Sequence, residues 1–218
     1  MIQDIDYYIN GINFTEYGVY VSASSGIASK PEVKNKLSVD WNDYHGIAID
    51  RSAPRYKERE ITLDCFIEAF GYDDFIEKYR GFIAQFEGAN TKRLKIDVGT
   101  KPLVYEVLCL DKFDIQKKWN PDHMIGTFRI MLTEPEPVKR VLRHTGAANS
   151  TAQITMTTKK LVNVYWGDGT ATFDVSGTNK QITHQYSEAG EYDIIVTGMI
   201  EAITAFTTNA IILWSRLL

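Results

Sequence analysis

The residues whose types and spacing could do chemistry lie in the stretch YWGDGTATFD, residues 165–174, and in the HQY of 184–186. An aspartate between two glycines, Asp168, could open a cation loop. Such a loop needs several oxygen ligands at set spacing, and this stretch offers only Asp168 and Asp174. His184 beside Tyr186 could serve acid–base transfer, but that requires a nucleophile or partner carboxylate placed with it, and the sequence places none. Asp168-Gly169 is equally a hairpin turn pair, and an aspartate side chain accepts turn N–H groups. The structural reading is favoured. Asp168 builds a turn, Trp166 points inward with Val162 and Val164, and His184 is a half-buried strand histidine.

The same conclusion holds along the rest of the chain. GTKPLVYE and WGDGT contain glycines but lack the spacing and lysine of a phosphate loop. No Ser-His-Asp order with a recognisable context is present. No Cys/His cluster has zinc spacing. Catalytic, cofactor-binding and metal-binding residues are therefore none, no cofactor is expected, and the chain reads as a non-enzyme. Cys65 and Cys109 each sit in an alternating apolar run and read as small core residues. They could form a disulfide only if their strands were neighbours.

The elements that would position these residues are mostly strands. YYINGINFTEYGVYVS reads as strand, turn and strand, with Asn10-Gly11 as the turn. NKLSVDWND alternates Leu37, Val39 and Trp41. The polar, proline-interrupted segment up to Arg59 reads as an exposed loop or protruding hairpin. REITLDCFIEAF places Ile61, Leu63, Cys65 and Ile67 on one face. The period then changes. Phe75, Tyr79, Phe82, Ile83 and Phe86 fall at helical spacing, which predicts a helix near 74–87, with Asp73 or Asp74 as its cap and Gly88 as its end. RLKIDVG, LVYEVLCLDKFDIQ and IGTFRIMLTEPEP read as three further strands, the last stopped by Pro135 and Pro137. A domain boundary is expected near residue 145. Beyond it QITMTTK, LVNVYWGDG, ATFDVSG, KQITHQY and EYDIIVTGM read as five compact strands of a small antiparallel sandwich. Ile182, His184 and Tyr186 share one face there, and so do Tyr192, Ile194 and Val196.

The final segment, 201–218, reads as an amphipathic tail. As a helix it would place Phe206, Ala210, Ile211, Trp214 and Leu218 on one face. Three roles stay open for it: docking on its own sandwich, packing against a second copy, or being the stub of a longer protein.

Composition bounds the partners. The chain has 218 residues, 44% hydrophobic and 24% charged, which is ordinary for a soluble globular protein. A formal net charge of -4 argues against a nucleic-acid binder. No segment approaches the apolar length that spans a membrane. The N-terminus has no basic start and no apolar stretch of signal length, so synthesis in a cytoplasm is expected.

Two resemblances are carried by these motifs. YWGDGT followed by HQYSEAGEYDIIVTG resembles the polycystic kidney disease (PKD) repeat, an immunoglobulin-like β-sandwich, over roughly residues 150–200. In that family these residues build the fold. The order of Asn10-Gly11, the YHGIAIDRS loop, Arg59 opening a long strand, the aromatic helix and the proline stop resembles the distal tail protein family of long-tailed bacteriophages, over roughly residues 1–140. The resemblances imply a mainly β protein with one helix. Residues 1–144 would form a β-barrel-like domain, residues 145–200 a PKD-like sandwich and residues 201–218 the tail.

The function implied is that of a structural component of a phage or prophage tail. It would be a hexameric ring at the tip, joining the tube to the host-recognition apparatus and contacting other tail proteins. Its location would be the virion tail, made in the host cytoplasm. The alternative is a bacterial surface or secreted protein that uses the PKD-like module to bind a cell-surface glycan or protein. The self-association surface is expected in the first domain, on the polar segment 42–59. That segment mixes Arg51, Arg55, Lys57 and Arg59 with Asp40, Asp43, Asp50 and Glu58 nearby; a merely solvated loop is the competing reading.

Overall fold

The computed structural model describes residues 5–34, 38–43, 45–50, 52–120 and 123–217. Leu37, Arg51 and Leu218, which entered the patterns above, lie outside the described residues.

The chain begins with β1 (Asp6–Ile9) and β2 (Ile12–Asn13). Asn10 and Gly11 join them with φ of 52° and 86°, the two left-handed residues that a tight hairpin turn requires. A 3₁₀ turn follows, and then β3 (Val19–Ser25). Among the described residues β4 (Ser38–Asp40) and β5 (Ile47–Ile49) pair only with each other. They form an arm whose base is a short ladder, in which Lys34 N–H donates to Arg55 O (2.7 Å) and Lys57 N–H to Glu32 O (2.8 Å). The arm is the protruding hairpin expected of this segment. Trp41, Ile47 and Ile49 are each at least half exposed on it.

β6 (Arg59–Ala69) has the predicted alternation. Ile61, Leu63, Cys65 and Ile67 are buried. The helix α1 spans Tyr72–Ala84, slightly earlier than predicted. Its N-cap is Gly71 and no side chain caps it. Asp73 and Asp74 lie within its first turn, where they suit the positive end of the helix. Asp74 instead accepts the N–H of Phe70 at 2.9 Å. Nor does Gly88 end the helix, which stops at a right-handed Gln85. Phe82 is fully buried and meets Phe14, Tyr17, Phe86 and Phe128 edge-on, so the aromatic stripe is a core face.

β7 (Lys92–Asp97), β8 (Leu103–Val107), β9 (Gln116–Asn120) and β10 (His123–Glu134) complete the first unit. Two four-stranded antiparallel sheets result, in the orders β2-β1-β7-β8 and β3-β6-β10-β9. They enclose one core and touch through a bridge between Leu108 and Thr133. The protein is mainly β with one helix, as expected, but none of its sheets closes into a barrel.

The second unit begins earlier than residue 145. β11 (Lys139–Gly146) already pairs with β14 (Gly190–Gly198) and β16 (Ile211–Arg216). The first four of the five expected short strands are two long ones, β12 (Thr151–Tyr165) and β13 (Ala171–Gln185). No Gly or Pro interrupts residues 157–161, so the backbone bends through register shifts instead of turning. The first half of β12 pairs with β15 (Ile203–Thr208) and the second half with β14. Both halves thus close over one core of Ile154, Met156, Val162, Val164, Trp166 and Ile194. The segment 203–216 is therefore two strands of this unit, not an amphipathic helix. It is rich in Ile, Thr, Phe and Trp, residues that favour a pleated half-buried surface.

Candidate functional site

The turn after β12 is built from its own side chains. Trp166 N–H donates to Thr170 O at 2.9 Å, and Gly167 and Gly169 have φ of 96° and 88°. A Cβ on Gly167 would sit 2.9 Å from Asp193 O, so only glycine fits that approach. Asp168 Oδ1 accepts from Thr170 N–H (3.0 Å) and Thr170 Oγ1 (2.6 Å), while Oδ2 pairs with His184 Nε2 at 2.6 Å. Burial pushes the Asp168 carboxyl up, but the bonds from Thr170 and His184 outweigh it and leave the group below the usual carboxylate range.

Trp166 is buried, with its indole N–H on Thr172 Oγ1 at 2.9 Å. Tyr186 donates its hydroxyl to Trp166 O at 2.7 Å. His184 stacks on Trp166 with centroids 5.1 Å apart, and Tyr186 on Tyr192 at 3.7 Å. The sequence-singled residues Trp166, Asp168, His184 and Tyr186 thus meet in one cluster, while Asp174 bonds elsewhere, its N–H donating to Asn163 Oδ1 at 3.2 Å. The cluster spends its polar atoms on the fold. Among the described residues no group of three or more His, Cys, Asp or Glu could hold a metal ion, and no helix is long and apolar enough to cross a membrane. Cys65 and Cys109 are both free thiols.

This hairpin forms one wall of a cleft of about 620 Å³; the loop ahead of β7 forms the other. Arg93, Glu106, Tyr165, Asp168 and Phe173 are among its lining residues. Its charged groups are mostly committed. Glu106 accepts from Arg93 Nε (2.6 Å) and Thr91 Oγ1 (2.7 Å), and Arg93 also donates to Asp193 O across the seam. Burial, with Glu136 adding to it, pushes the Tyr165 phenol up to about 12.

The seam between the two units is the larger feature, and the sequence did not show it. Val104 of the first unit packs on Val141 and Ile195 of the second, with Trp214 beside them. Trp214 donates its indole N–H to Pro102 O at 2.8 Å. Beneath lies a buried ion cluster. Glu134, the last residue of β10, lies 3.2 Å from Arg59 and hydrogen-bonds Lys139, the first residue of β11. Arg59 donates to Ile27 O at 2.8 Å, and Lys139 lies over the Tyr105 ring at 4.0 Å. Burial pushes Glu134 up against the pull of Lys139 and Arg59. It also pushes Lys139 down to about 8, opposed by Glu134.

The seam did leave one sequence signal. The run Asp193–Thr197 is buried at every position, and its Ile194-Ile195-Val196 core shows no alternation. A strand covered on both faces has that character. Ile194 and Val196 face the core of the second unit, and Ile195 faces the first unit.

No family model matches the sequence, and no curated protein matches it. Among solved structures the chain is similar to one from the phage P2 baseplate in its activated conformation with calcium. The TM-score is 0.51 at 7% identity, with 99% of this chain and 100% of that one covered. The likeness is one of fold. Weaker likenesses are to the SPP1 Dit protein, titled a paradigm of hub adsorption apparatus in phages infecting Gram-positive bacteria (TM-score 0.43, 11% identity, 99% and 85% covered), and to the P2 baseplate with strontium (TM-score 0.45, 8% identity, 99% and 100% covered).

Proposed function

We propose that the chain is a non-catalytic structural component of a phage or prophage tail, located in the virion as a ring at the tail tip. The ring joins the tail tube to the host-recognition apparatus. The observation that carries this reading is the fold likeness to a phage baseplate chain along the whole length of both chains. The distal-tail motifs of residues 1–140 agree with it. Asn10-Gly11 is the hairpin turn, Arg59 opens the long strand β6, and the aromatic helix seals the core.

In this reading the first unit assembles the ring and the PKD-like second unit is carried on it, seated by the Trp214 contact and the buried ion cluster. The polar groups of the WGDGT hairpin bond one another and hold a shape. The working surfaces are then exposed apolar ones, and the arm is foremost among them.

The test is the assembly state of the full chain. Light scattering at high protein concentration, followed by negative-stain imaging, is expected to show closed rings, six-membered by the family resemblance. A strict monomer at every concentration overturns the proposal.

A further inference from the structure

The cleft between the WGDGT hairpin and the loop ahead of β7 takes its two walls from different units, and each wall is held by its own hydrogen bonds. On the hairpin Trp166 N–H bonds Thr170 O, and Asp168 gathers Thr170 and His184. On the opposite wall Asn10 N–H donates to Arg93 O at 2.8 Å. The Asn10 side chain accepts Arg93 N–H at 3.1 Å and donates to Gln85 O at 2.9 Å. Walls that are already fixed lose little entropy when a ligand enters. The volume of about 620 Å³ lies in the range of small-molecule sites.

The groups left unspent in the cleft are few. Phe173 lies on the outer face of β13, opposite in direction to Thr172, which holds the Trp166 indole. It meets Tyr165 edge-on at 5.8 Å and is 55% exposed. Ala171 shares that face and pairs with Tyr165 in the register, so it adds no bulk beside the ring. Across the cleft Asn90, with φ of 71°, makes no side-chain hydrogen bond among the described residues. Lys92 reaches Ala89 O only at 3.4 Å. Asp168 Oδ2 bonds His184 and keeps a second acceptor direction.

Charge decides the class of ligand. Lys92 and Arg93 are balanced by Glu106 and Asp168, and Arg93 and Glu106 already satisfy each other. A phosphate group calls for a surplus of cations, which this cleft does not have. A wholly apolar ligand would strip water from charged groups and give no bond in return. An extended peptide is read along a sheet edge, whereas Tyr165 and Phe173 present a strand face. An uncharged sugar suits every group. The C–H face of a pyranose ring lies on an aromatic ring, and its hydroxyls both donate and accept, so an amide, an ammonium and a carboxylate oxygen are each satisfied.

We infer that the cleft binds a short, uncharged oligosaccharide, with one pyranose ring on Phe173 and its hydroxyls on Asn90, Lys92 and Asp168 Oδ2. Asn90 and Lys92 belong to the first unit, Asp168 and Phe173 to the second, so the bound sugar also ties the units together. The inference goes beyond the tail reading and does not depend on ring assembly.

The experiment titrates the full chain by calorimetry with linear trimers of glucose, galactose, rhamnose and N-acetylglucosamine, and with a galacturonic acid trimer as the charged control. At least one neutral trimer is expected to bind at millimolar concentration or below and to raise Tm, since it binds the folded chain. Saturation-transfer NMR is expected to mark its ring C–H protons most strongly. Phe173→Ala is expected to weaken binding about tenfold, and Phe173→Tyr to retain it. Asn90→Ala is expected to weaken it about fivefold; Asn90 lies on an exposed loop, so this variant reads the site without touching either core. No binding of any neutral trimer at millimolar concentration overturns the inference. So does binding that both Phe173→Ala and Asn90→Ala leave unchanged, which would place the sugar elsewhere. A preference for the galacturonic acid trimer overturns the assignment of an uncharged ligand.

Discussion

Trp166 shows how the residues of a motif that looks chemical are bonded into the fold. Its ring is buried, its N–H is held by Thr172, its carbonyl accepts the Tyr186 hydroxyl, and His184 stacks on its face. This much was legible in the sequence, because Val162, Val164 and Trp166 alternate and Asp168-Gly169 is a turn pair. The bond from Asp168 to His184 was not, since it joins two strands whose register depends on the bends in β12 and β13. Trp166→Ala removes a large buried side chain and is expected to cost about 3–5 kcal/mol. Urea unfolding followed by circular dichroism measures it. A midpoint equal to that of the parent protein would mean that the ring contributes little to the core.

Elements were readable where one period ran uninterrupted. β6 alternates along its whole length and α1 carries an aromatic stripe, so both were placed within a few residues. The end of the chain misled for a physical reason. Phe206, Ala210 and Trp214 recur every four residues, but Phe206 and Trp214 lie on two different strands and Ala210 in the bend between them. Phe206 is opposite Met156 on β12, and Trp214 is opposite Val141 on β11. Asn209 makes the crossing, bonding Gln153 N–H and Thr151 O through its side chain, each at 2.9 Å. Such pairing is set by strands some fifty or more residues earlier, which no local period records. Truncation after Ala202 therefore strips both β15 and β16 from the second unit. The expected result is a fall in Tm and aggregation on heating, since Phe206 and Trp214 are partly buried and each contributes on the order of 1 kcal/mol, part of what full burial gives. A truncated chain with the melting temperature and solubility of the parent would contradict the role given to these strands.

At the scale of the whole molecule, the two units are joined through charge as well as apolar packing. Arg59 and the Pro135/Pro137 stop were visible in the sequence. Their meeting with Lys139 was not, because Glu134 and Lys139 come together only when β11 joins the second sheet while β10 stays in the first. The cluster holds two cations, Arg59 and Lys139, around one anion, Glu134, all three buried. Removing the anion leaves two buried positive charges facing each other, whereas removing one cation leaves a neutral pair. Burial favours the neutral forms of both Glu134 and Lys139, so the charged cluster is held by the mutual attraction of its members, with Arg59 Nε, Arg59 Nη2 and Glu134 Oε2 buried and without a hydrogen bond among the described residues. Glu134→Gln is accordingly expected to destabilise the protein by about 3–5 kcal/mol, and Lys139→Met by clearly less. Because the lost contacts span the seam, Glu134→Gln should also uncouple the units. A single cooperative urea transition in the parent becomes two, the second unit being followed through hydrogen exchange of the β12 and β13 amides. Equal costs for the two substitutions, or a transition that stays single and unshifted in Glu134→Gln, would show that the ion cluster does not hold the units together.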